Sequence, residues 1–67
     1  MAKLILSPNL EDADGFYEAL LNVHEGLEDE ETHALNARLV LVLANHIGNN
    51  EILADAIAAS AEALKSR

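Results

Sequence analysis

The chain has 67 residues, a formal net charge of -8, 51% hydrophobic residues and no cysteine. That length allows one domain with a thin core, because a chain of about 60 residues buries only about 60% of the surface it exposes unfolded. The lack of cysteine excludes disulfides, thiolate metal sites and a cysteine nucleophile. With only Lys3, Arg38, Lys65 and Arg67 positive, the acidic balance argues against nucleic-acid and anionic-membrane binding.

Residues 1–10 read as an extended arm and residues 11–67 as a single helical domain. Leu4, Ile5 and Leu6 are apolar and partly β-branched, and Pro8 disfavours helix at the residue before it. No second strand-like segment exists in the sequence. The arm is therefore expected to pack on the helices or to pair with the same segment of another chain. It is also too short an apolar run for a signal peptide.

A first helix is expected from about Asp12 to Glu25. Asp12 or Asp14 can cap it. Phe16, Leu20, Val23 and Leu27 recur at helical spacing, flanked by Tyr17, Leu21 and His24. Gly26 stands where a left-handed C-terminal cap needs glycine.

A second helix should start near Glu28 or Asp29 and end at Ile47, with Gly48 as the stop. Its opening acids, Glu28 to Glu31, sit at the positive end of the helix dipole. Leu39 to Ala44 is apolar on every side, and a helix with no polar face is normally surrounded by protein. Two thin neighbouring helices hardly cover it, which points to a partner chain. The stretch is far below the roughly 20 residues a membrane span needs, so a cytoplasmic location is expected.

A third helix should run from about Glu51 to Leu64, capped by Asn49 or Asn50. Ile52, Leu53, Ala56, Ile57 and Leu64 form its apolar stripe, and Lys65 and Arg67 lie at the negative end of its dipole. The short connections favour antiparallel neighbours. The fold expected is all-α, a small three-helix bundle or helical hairpin with an extended N-terminal arm.

Most of the acids fall in first turns, where capping and dipole effects explain them without a functional role. Glu30 and His33 share a helix face at the i, i+3 spacing of di-iron carboxylate bundles. Those sites need two such pairs and two further glutamates, and the chain carries one pair, so a doubled metal site is an outside reading. His46 falls in the stripe of Leu35, Leu39, Val42 and Leu43. A histidine there is usually a core residue bonded to a backbone carbonyl; the functional reading is a binding contact or a pH-sensitive interface. Arg38 and Asn45 share a flank seven residues apart, suited to an ion pair with an acid or to an anion contact. Tyr17 and His24 share a flank of the first helix and bear acid–base groups. No phosphate loop, serine elbow or zinc motif accompanies them, so no enzyme activity and no cofactor are expected.

Several segments together resemble a small bacterial family. They are Pro8-Asn9-Leu10, Asp14-Gly15-Phe16-Tyr17, His24-Glu25-Gly26-Leu27, Leu35-Asn36-Ala37-Arg38-Leu39-Val40-Leu41 and Leu43-Ala44-Asn45-His46-Ile47-Gly48. The family is the domain of unknown function 2783, and the likeness covers roughly residues 4 to 60. The resemblance implies a short bacterial cytoplasmic helical protein and brings no known activity. It also suggests an accessory subunit of a bacterial enzyme, a flavin-dependent aromatic hydroxylase. Glu28 departs from the Ser expected as a cap, which leaves the start of the second helix open.

The function expected is that of an interaction protein, a homo-oligomer or an accessory subunit. Its candidate contacts are Leu4, Ile5, Leu6, Tyr17, His24, Arg38, Leu39, Val42, Asn45 and His46. The alternative is a small-molecule binding module with an interhelical cleft near Arg38, Asn45 and His46.

Overall fold

The first helix, α1, spans Ala13–His24 and starts where its cap chemistry begins. The Asp12 side chain accepts a hydrogen bond from the Gly15 amide at 2.9 Å, satisfying one of the amide groups that a helix N-terminus leaves without a partner. At the other end the chain leaves the helix through Glu25, and Gly26 takes a φ of 82°. Only glycine occupies that left-handed region at no steric cost. The Leu27 amide then donates to the His24 carbonyl at 3.1 Å, closing the turn. The structure, a computed structural model, describes residues 2–65.

Helix α2 spans Asp29–Ile47, with Glu28 as its N-terminal cap residue. Glu31, three residues on, reaches back so that its carboxylate accepts from the Glu28 amide at 3.0 Å. That is the returning half of a capping box, and it fixes the start that the missing Ser left open. The helix stops at Gly48, whose φ of 72° turns the chain while its amide donates to the Ala44 carbonyl at 2.8 Å. A Cβ at Gly48 would meet only the Asn45 carbonyl oxygen, at an ordinary 3.7 Å. The cost of Gly48→Ala is therefore conformational, about 1–2 kcal/mol for a left-handed alanine. Chemical denaturation should show that loss with an unchanged slope.

Helix α3 spans Asn50–Lys65. Asn49 caps it, its side-chain oxygen accepting from the Ile52 amide at 2.9 Å. Lys65 lies in the last turn, where a cation is favoured; Arg67 lies outside the described residues. The fold is thus all-α, three helices preceded by an extended arm, and no strand forms among the described residues.

The helices are splayed. Only α2 and α3 lie closely side by side, joined by the tight Gly48–Asn49 turn. The radius of gyration is 13.6 Å, against about 11 Å for a compact domain of this length. The arm runs beside α3, with Leu4 and Leu6 lining a shallow groove whose other wall includes Glu51, Asp55 and Ala58. Leu4 is half-buried there, while Ile5 and Leu6 remain exposed.

Candidate functional site

None of the described side chains is fully buried, and no apolar core closes among the described residues. The half-buried apolar residues are small in number. They include Leu20 and Leu27 near the α1 end, Leu35, Leu39 and Ala44 on α2, and Ile52, Leu53 and Ala56 on α3. They mark the inner sides of the three helices.

The middle of α2 is the opposite case. Val40 is 63% exposed, Leu41 66%, Val42 55% and Leu43 46%. Ile47, one turn beyond Leu43, is exposed as well. Successive α-helical residues are 100° apart, so Val40, Leu43 and Ile47 fall on one stripe while Leu41 points to the other side. The segment that is apolar all round is thus open to solvent on more than one side. Phe16, Tyr17, Leu21 and Val23 on α1 extend the exposed apolar surface, as do Ile57 and Leu64 on α3.

The surface is also larger than a chain of this mass needs. It measures 6126 Å², whereas folded monomers of about 7 kDa expose about 4,100 Å². Contiguous apolar surface of more than a few hundred Å² marks an interaction site in soluble proteins.

The polar candidates separate in the structure. His24 is half-buried and held twice: its Nδ1 lies 2.7 Å from the Leu20 carbonyl oxygen and its Nε2 lies 3.0 Å from Asn36 Oδ1. The second bond joins α1 to α2. Carbonyl anchoring of this kind is what the apolar stripe led one to expect of His46. His46 is instead exposed, as are Arg38, Asn45 and Tyr17, and none of them takes part in the side-chain hydrogen bonds of the described residues. His46 lies in the last turn of α2, where Val42 beside it is also uncovered.

The surface carries grooves that Arg38, Asn45 and His46 do not line. One lies between the arm and α3, one within the arm around Ile5 to Leu10, and one along the outer face of α1 beside Tyr17 and Leu21. All three are open to solvent, whereas small-molecule sites are enclosing clefts. Glu30 and His33 are both exposed in the first turns of α2, and among the described residues no three His, Asp or Glu side chains group to hold a metal. No helix among the described residues is long and apolar enough to cross a membrane.

Two features went unread in the sequence. One is the His24–Asn36 bond, whose partners stand twelve positions apart on different helices. The other is the part Glu31 plays at the α2 start, for which the Glu28-x-x-Glu31 spacing was the available signal.

The three helices make this a small all-α protein. The family model for a protein of unknown function, DUF2783, matches residues 4–62, and the chain belongs to that family. No curated protein and no solved structure matches it.

Proposed function

We propose that this protein is a helical interaction module whose apolar α2 is completed by protein, either as a homo-oligomer or as an accessory subunit of a bacterial enzyme in the cytoplasm. The observation that carries this reading is the exposure of Val40 to Leu43 where the described residues close no core of their own. A protein face of Leu, Val and Ile in water is stabilised by burial at about 25 cal/mol per Å², so the face gains from any well-fitting protein surface. On this reading the chain supplies surface rather than chemistry. In an enzyme complex, such as one with a flavin-dependent aromatic hydroxylase, the reaction would belong to the partner.

Binding of a partner to the folded state alone makes the melting temperature depend on concentration. The purified chain, heated across a range from micromolar to millimolar, should melt at a higher temperature as concentration rises. Alternatively, a partner enzyme added in stoichiometric amount should raise it. A cooperative melt at one fixed temperature, unmoved by concentration or by added enzyme, would remove the need for a partner.

A further inference from the structure

We infer that the partner seated on α2 is a second copy of this chain, packed antiparallel along the stripe of Val40, Leu43 and Ile47 about a two-fold axis between Val40 and Leu43. This rests on the interaction reading above and names its occupant. Area is the first argument. Two separate chains of 6126 Å² each would have to bury about 2,700 Å² apiece to reach the surface of an ordinary folded protein of about 14 kDa. A total of about 5,400 Å² lies in the range of obligate homodimers, whose interfaces resemble a domain core cut in half, so the stripe is the centre of the interface and not the whole of it. A chain with no closed core needs such a partner whenever it is folded, and a second copy meets that need in fixed proportion.

Charge sets the direction. Residues 1–31 hold nine acids and one cation, Lys3. Residues 32–67 hold three acids, Glu51, Asp55 and Glu62, and three cations, Arg38, Lys65 and Arg67. The whole net charge of -8 therefore lies in the first 31 residues, and the remainder sums to zero. No acid occurs between Glu31 and Glu51, the interval that contains the exposed stripe. Two copies can approach along this acid-free interval, whose one cation, Arg38, falls on the side of α2 away from Val40. A parallel pair would lay the two acidic halves side by side and repel. An antiparallel pair sends them to opposite ends. A two-fold interface is self-complementary, the commonest form for homo-oligomers.

The absence of native cysteine makes a direct test possible. Single variants Val40→Cys and His33→Cys of the full chain place a thiol on the same α2 stripe, seven residues apart. Each is treated with a short bismaleimide, and its mass is measured by light scattering. The expected result is a dimer in both, cross-linked at position 40 and unlinked at position 33. The 1.5 Å rise per residue puts the two position-33 thiols about 25 Å apart. Equal cross-linking at both positions means parallel pairing and overturns the inference, as does a purified chain that stays monomeric at millimolar concentration. Thermal unfolding of that monomer then separates the two readings. A cooperative melt fails the interaction reading as well. A broad, non-cooperative melt leaves that reading standing, with another protein as the occupant.

Discussion

Val40→Glu should weaken self-association by about two to four powers of ten and lower the melting temperature with it. The stripe that carries Val40 contains no charge at Leu43 or Ile47, and position 40 lies beside the two-fold axis. Each copy loses the burial of an aliphatic side chain, worth about 1.5–3 kcal/mol. Because the two-fold repeats the change, the dimer loses about twice that, and each 1.4 kcal/mol is tenfold in affinity. The two carboxylates also face each other, which adds repulsion. Leu64→Glu is the matched control. Leu64 is 65% exposed in the free chain and Val40 63%, so exposure alone ranks the two variants together. Leu64 lies at the far end of α3, away from the stripe. Sedimentation should find Leu64→Glu dimeric and Val40→Glu dissociated at the same concentration. Equal behaviour of the two would remove α2 as the interface.

The helix ends could be read from the sequence because local chemistry sets them. Asp12, Gly26, Gly48 and Asn49 each act within three or four residues of themselves, which is the range that sequence spacing describes. The girdle of α2 was legible for a related reason: six consecutive apolar residues leave no helical face polar, whatever the neighbours do. His46 shows the limit. Helical periodicity says that it shares a stripe with Leu35 and Leu39, but coverage depends on where α1 and α3 cross α2. Those crossings follow from the dihedral angles of two short turns. Leu35 and Leu39 come out half-covered, and Val42 and His46 come out open. Arg38 and Asn45 share their flank as the spacing requires, and both are exposed. Adjacency on a helix is a one-element property, while a pocket needs two.

His24→Ala should release α1 from the rest of the fold. The imidazole lies within hydrogen-bond distance of the Leu20 carbonyl on its own helix and of the Asn36 side-chain amide on α2, and a bond of this kind contributes about 1 kcal/mol. Little else holds this helix: α1 does not lie closely along either neighbour, and Phe16, Tyr17, Leu21 and Val23 are exposed. Its 12 residues sit at the lower edge of the roughly 12–15 that an isolated helix needs to persist in water. A detached α1 therefore melts, taking with it roughly a quarter of the helical circular dichroism, its share of the three helices. Asn36→Ala should likewise release α1, and the double variant should lose little more than His24→Ala alone, because both remove the same interhelical bond. His46→Ala, which breaks no hydrogen bond of the described residues, should leave α1 intact. Amide exchange resolves these cases by residue. Protection lost from Phe16 to His24 but retained from Leu35 to Ala44 is the expected pattern. Unchanged protection in α1 would mean that the contact between His24 and Asn36 is not what holds this helix in place.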